Sequence, residues 1–221
     1  MFRRLDAMFI LDNDTFAANR KYGVTLRKMC KYMFSVNTEY YAPLKCGPRP
    51  YLVSAGTAAR DYDALVRAME GLGARLKIYT DLELDGRKTD SLDLSVHKLS
   101  GNHERLRAEL GGALAVVIPF KPAVSPAANS ILTMAMSLGK VVLTNETDVL
   151  KKLVKDRVNG FFYNERLSGD LRKRIKHVLS LKKERRELIG ARARETVLAK
   201  ADYRNVIEKV YAVLCNNGLP K

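Results

Sequence analysis

Apolar positions along this chain gather into short runs, and the runs are separated by stretches with helical spacing. Residues 7–11 form one such run, closed by Asp12-Asn13-Asp14-Thr15, which can cap a helix over residues 16–22. Gly23 ends that helix, and residues 33–36 form a second apolar run. Residues 42–50 hold Pro43, Gly47, Pro48 and Pro50 and read as a linker, with a boundary near residue 47. Beyond it the alternation becomes regular. Strands are predicted over 51–55, 76–80, 115–120 and 140–143, with a short one over 94–96, and helices over 60–71, 103–110, 130–138 and 146–154. Such alternation predicts an α/β fold with a doubly wound parallel sheet. After Phe161-Phe162-Tyr163 the chain turns helical, with apolar residues at Leu171, Ile175, Val178 and Leu179, at Leu188, Ile189, Val197 and Leu198, and at Val206, Ile207, Val210 and Leu214. Their spacing predicts amphipathic helices lying on the sheet.

The stretch from Val116 to Asn145 spells strand, proline-marked loop, helix, Gly-Lys turn and strand, one complete βαβ unit. In such units a ligand binds beyond the carboxyl end of the first strand, where the next helix aims unpaired N–H groups outward. The loop over residues 121–129 occupies that place. It holds Lys121, Ser125, Asn129 and small residues, and no carboxylate. That composition suits a phosphate-bearing ligand.

Charge sharpens this picture. The 221 residues carry a formal net charge of +15, and from Lys151 onward there are 19 basic and 8 acidic residues. A basic carboxyl-terminal half fits a solvated helical surface, and also nucleic acid, anionic lipid or a polyphosphate substrate. The basic clusters at 172–176 and 182–186 lack interleaved aromatics, so nucleic-acid recognition gains no support beyond charge. Cys30, Cys46 and Cys215 match neither a zinc site nor a redox pair, which fits a reducing compartment. No run reaches the roughly 20 apolar residues of a membrane span. The expected location is the cytoplasm, with peripheral contact to an anionic membrane left open. His97, His103 and His177 lie far apart and read as surface or satisfied histidines. Asp81, Glu83 and Asp85 read as an exposed acidic turn rather than a metal site, because alternate residues on an extended chain face opposite sides.

Four segments, in order, resemble the carboxyl-terminal half of a GT-B glycosyltransferase of retaining family 4. Residues 51–65 resemble that family's opening strand and Gly-rich turn, including an Arg60-Asp61-Tyr62 variant at the helix start. Ala135-Met136-Ser137-Leu138-Gly139-Lys140-Val141-Val142 resembles its Ala-Met-Ala-Leu-Gly-Lys-Pro-Val. Val154 to Tyr163 resembles its Val-x-Asp-Gly-x-Asn-Gly-Phe-Leu-Val, and Arg192-Ala193-Arg194-Glu195 is similar to a run in its late helix. Residues 6–41 resemble the last strand, helix and crossing of the family's amino-terminal domain.

The resemblance implies a Rossmann-like sugar-nucleotide-binding domain over 48–221, preceded by a remnant of an amino-terminal domain and linker over 1–47. It implies a nucleotide sugar as substrate, no cofactor and no metal, and an acceptor domain supplied by another chain or by upstream sequence. Donor diphosphate contacts map to Gly56, Thr57, Arg60, Lys121, Asn129 and Ser130. Gly56 lets the backbone approach a diphosphate, Arg60 offers a bidentate guanidinium, and Asn129 or Ser130 caps the helix whose N–H groups face the distal phosphate. The family has an arginine directly after the glycine, where this chain has Thr57. The family's two glutamates, which contact the donor sugar and the ribose, fall on Pro126 and Met134, neither of which accepts a hydrogen bond as a carboxylate does. Three functions therefore stand: a retaining hexosyltransferase, a degenerate non-catalytic domain with a binding or assembly role, and a basic nucleic-acid-binding protein.

Overall fold

The computed structural model describes residues 7–10, 23, 25, 29–31, 34–45, 49–84, 91–101, 103–121 and 130–216. The predicted helix over 16–22 and the boundary near 47 lie outside them. The larger sheet is built from β3 (Tyr51–Ala55), β4 (Arg75–Tyr79), β5 (Leu94–His97), β6 (Ala115–Ile118), β7 (Val141–Asn145) and β8 (Phe161–Tyr163). Every pairing is parallel, and the strands run in the order β5-β4-β3-β6-β7-β8. Connections lead outward from β3 in one direction and from β6 in the other, so the order reverses between those two strands.

Burial on both faces explains why β3, β6, β7 and β8 are buried at every position and mostly apolar, with no alternation. On one face α2 (His103–Gly112), α3 (Ser130–Ser137) and α5 (Lys183–Lys200) cover Val53, Val116, Ile118 and Val142 with Leu110, Leu132, Met136, Ala193 and Val197. On the other, α1 (Tyr62–Met69) and α4 (Asp170–Ser180) cover Leu52, Ile78, Val117 and Leu143 with Leu65, Met69, Leu171, Ile175 and Val178.

A second, two-stranded parallel sheet pairs β1 (Met8–Ile10) with β2 (Met29–Lys31). The expected second apolar run at 33–36 is thus not the paired strand, which lies four residues earlier in its register with Met8 to Ile10. Val36 instead crosses to the far end of the chain, donating its N–H to the Ala201 carbonyl and accepting from the Tyr203 N–H. Entry to and exit from the large domain therefore meet at one place. Arg194 of α5 secures it by donating to the carbonyl of Ser137 at 2.6 Å and to those of Thr38 and Tyr41. A cation there also opposes the negative end of α3.

Two expectations are corrected. Residues 146–154 form only a short 3₁₀ turn, Leu150–Lys152, because the buried residues Leu150, Leu153 and Val154 are anchored within a single turn and the Thr147 hydroxyl accepts from the Leu150 N–H. The last helix, α6 (Tyr203–Asn216), does not lie on the sheet. Ile207, Tyr211 and Leu214 are 57%, 59% and 40% exposed, and no side chain described on it is buried. Helical spacing reports an apolar face, not what covers it.

Candidate functional site

The carboxyl ends of β3 and β6 flank the point where strand order reverses, the usual place for a ligand crevice in an open parallel sheet. Two loops meet there. After β3 the chain passes through Gly56, with φ +122°, and Ala59, with φ +56°, before Asp61 caps α1 by accepting from the Ala64 N–H at 2.9 Å. After β6 it runs through Pro119, Phe120 and Lys121. The Asp61 N–H donates to Pro119 at 3.0 Å, the Lys121 N–H donates to Ala59 at 2.9 Å, and Arg60 and Phe120 form an antiparallel bridge. Asn145, at the end of β7, holds Phe120 from the other side, accepting from its N–H at 3.2 Å and donating to its carbonyl at 3.4 Å. An amide side chain here does the work of one more strand residue.

Arg60 lies at the centre of this junction and is 6% exposed. Its Nε donates to the Ala55 carbonyl and its Nη1 to the Ala58 carbonyl, both at 3.0 Å, while the guanidinium carbon stands 4.3 Å from the Phe120 ring centre. Burial lowers its pKa from the ordinary arginine value, yet a guanidinium stays charged in proteins. Among the described residues no carboxylate pairs with it. The sequence offers Arg60 as a bidentate guanidinium for phosphate; the structure shows it folded back over the glycine turn, bonded to the Ala55 and Ala58 carbonyls. A β-carbon on Gly56 would stand 2.6 to 2.8 Å from guanidinium atoms, so the glycine makes room for this cation. Tyr62, 2% exposed, completes the turn by donating its hydroxyl to the Gly56 carbonyl. Burial raises its pKa to about 12, against the adjacent Arg60 charge, which keeps the proton on the oxygen as donor.

The other expected contacts are taken in turn along the chain. Thr57 is half-buried and its hydroxyl accepts from the Asp81 N–H at 3.3 Å, fixing the end of β4 to the end of β3. Asp81 in turn accepts from Leu99 at 3.2 Å and Ser100 at 3.1 Å; these backbone bonds, Ser100 first, pull its carboxyl below the usual range. It serves as a loop tie, and Asp85 lies outside the described residues. Lys121 is exposed. Ser130 opens α3, and its carbonyl accepts from the Thr133 hydroxyl at 3.0 Å. Asn129 and Pro126 lie outside the described residues. Met134 packs on the core, so its position offers no hydrogen-bond acceptor. Among the described residues no group of three His, Cys, Asp or Glu side chains is placed to hold a metal. His97 stacks on Tyr79 at 4.9 Å and His177 meets Phe161 edge-on at 5.3 Å. Cys30 and Cys215 are free thiols. Tyr62 stands in the Arg60-Asp61-Tyr62 variant with no role assigned by it, and only the strand order, which sets β7 beside β6, makes the role of Asn145 readable.

Comparison with known proteins bears on this geometry. The model of a family described as glycosyl transferase-like matches residues 102–212, half of the chain, from α2 into α6. The chain belongs to that family. None of the curated proteins compared with this glycosyltransferase-like chain matches it in sequence. Solved structures agree on the fold. Sucrose-phosphate synthase from Thermosynechococcus elongatus superposes with a TM-score of 0.73 at 15% identity, over 96% of this chain and 59% of that one. Anabaena Alr3699/HepE, solved in complex with UDP and glucose, gives 0.75 at 13% identity, over 95% and 63%. The pneumococcal O-GlcNAc transferase GtfA, in complex with UDP and GlcNAc, gives 0.66 at 14%, over 96% and 45%. This glycosyltransferase-like chain therefore has the fold of the carboxyl-terminal GT-B domain, Rossmann-like with carboxyl-terminal helices, and spans less than two thirds of those structures.

Proposed function

We propose that the crevice between β3 and β6 binds the diphosphate of a nucleotide sugar, and that the chain is the donor-binding part of a hexosyltransferase. One observation carries this reading. A guanidinium with no carboxylate partner among the described residues is buried at the topological switch point, against the glycine turn. A buried charge is costly unless it is paired, and a diphosphate supplies the missing pairing. The solved relatives with UDP bound support the choice of ligand class. Lys121 and the α3 amino terminus at Ser130 add a cation and N–H donors to the same crevice. Transfer to a glycan or lipid-linked acceptor then requires an acceptor domain, contributed by upstream sequence or by another chain.

Isothermal titration with UDP and with GDP tests the proposal. One of the two binds with a submillimolar Kd, and Arg60→Met weakens it by at least about tenfold, which is about 1.4 kcal/mol. Failure of both nucleotides to bind folded protein at millimolar concentration removes the reading.

A second reading, a non-catalytic donor-binding domain, is favoured by Met134, whose side chain sits on the core where a carboxylate is needed. Loss of both family acids costs about 10²-fold apiece if each acts on the transition state. Nucleotide binding without any sugar transfer or donor hydrolysis in the complete enzyme favours that second reading.

A further inference from the structure

The geometry points to a second anion site, on the opposite edge of the sheet, that takes a phosphomonoester or diphosphate group. Leu114 precedes β6 and Lys140 precedes β7, so the cavity they line opens at the amino edge, away from the crevice between β3 and β6. Its volume is about 400 Å³. Among the described residues that line it are the cations Lys45, Lys140, Lys183 and Arg186 and one carboxylate, Glu187.

These cations come from three separate parts of the chain. Lys45 ends the crossing segment, Lys140 sits in the turn between α3 and β7, and Lys183 and Arg186 belong to the first turn of α5. Arg186 is held in place by donating to the Leu181 carbonyl. Glu187 pairs loosely with Lys183, at 3.9 Å, with side chains 64% and 66% exposed. Such a pair is worth little, and among the described residues Lys45 and Arg186 have no carboxylate in a salt bridge with them. Lys182, which precedes α5, provides no side-chain cap, so N–H groups of that first turn add to the positive field at the cavity. Leu138 and Val141 form part of an apolar floor. Concave shape, convergent cations and an apolar base together suit a phosphate group on a small body.

The phosphate can belong to a soluble compound or to a lipid headgroup, and the two are separated by experiment. Inorganic pyrophosphate is titrated into the Arg60→Met chain, whose weakened crevice is common to both proteins compared, and into the same chain carrying Lys45→Ala and Lys183→Ala. In parallel, both proteins are sedimented with phosphatidylcholine vesicles with and without phosphatidic acid. Both lysines are exposed, and an unchanged melting temperature together with wild-type UDP affinity in a Lys45→Ala/Lys183→Ala chain verifies the fold. Pyrophosphate binding that falls at least tenfold with the two lysine substitutions identifies a soluble phosphate. Sedimentation only with phosphatidic acid, abolished by the same substitutions, identifies a headgroup. Equal behaviour of the two proteins in both arms overturns the site, and does so without touching the crevice proposal.

Discussion

Gly56 and Arg60 are joined through space although four positions apart, and each constrains the other. Adding a methyl group in Gly56→Ala places a β-carbon against the guanidinium in a left-handed backbone, which costs about 1 to 3 kcal/mol. The expected outcome is a lower melting temperature together with loss of UDP binding, whereas Arg60→Met lowers UDP affinity without a comparable loss of stability, since a buried unpaired charge is itself unfavourable. Thermal melts alongside titrations separate the two. Asp202 gives a residue-scale prediction in pH. Its carboxyl is held well below the usual range, first by the Arg204 guanidinium and then by the Thr38 hydroxyl, and overcomes its own burial. Because the folded value is depressed, the tie contributes above the unfolded value of about 3.9 and is lost as pH falls below it. Wild-type stability should drop through this acid window, and Asp202→Asn should be less stable at neutral pH with a shallower drop. Equal acid slopes for the two proteins in denaturant titrations contradict this.

Element positions follow from how each segment is covered. The close contact of α5 with the turn after α3 depends on Gly190, where a β-carbon would stand 1.9 Å from the Gly139 carbonyl oxygen. Gly190→Ala must push α5 away from that turn and strip Arg194 from the Ser137 carbonyl, and it should cost about 3 kcal/mol or more in denaturant unfolding. β3, β6 and β7 were legible because strands buried on both faces leave apolar runs such as Tyr51–Val53, Ala115–Ile118 and Val141–Leu143. Residues 146–154 were misread because Leu150, Leu153 and Val154 have helical spacing but pack in one 3₁₀ turn. α6 was misplaced for the converse reason: Ile207, Tyr211 and Leu214 share a face that nothing in the larger domain covers. At the site, Gly56 was readable from its place after a strand. The inward fold of Arg60 and the bracket by Asn145 were not, since both depend on contacts between β3, β6 and β7 that no local pattern records.

At the scale of the molecule, the parallel sheet separates two charged edges. The carboxyl edge carries Arg60 and Lys121, and the amino edge gathers lysines around a cavity. No helix among the described residues is long and apolar enough to cross a membrane. The chain spans less than two thirds of its solved relatives, so binding is the property to measure first. Amide chemical shifts of the isotope-labelled chain, followed by NMR during a UDP titration, test the donor-site claim most directly. Perturbations concentrated at Gly56, Thr57, Lys121 and Ser130, and absent in Arg60→Met, are the predicted result. Shifts confined to the amino edge at Lys45 and Lys183, or no shifts at millimolar UDP, would contradict it.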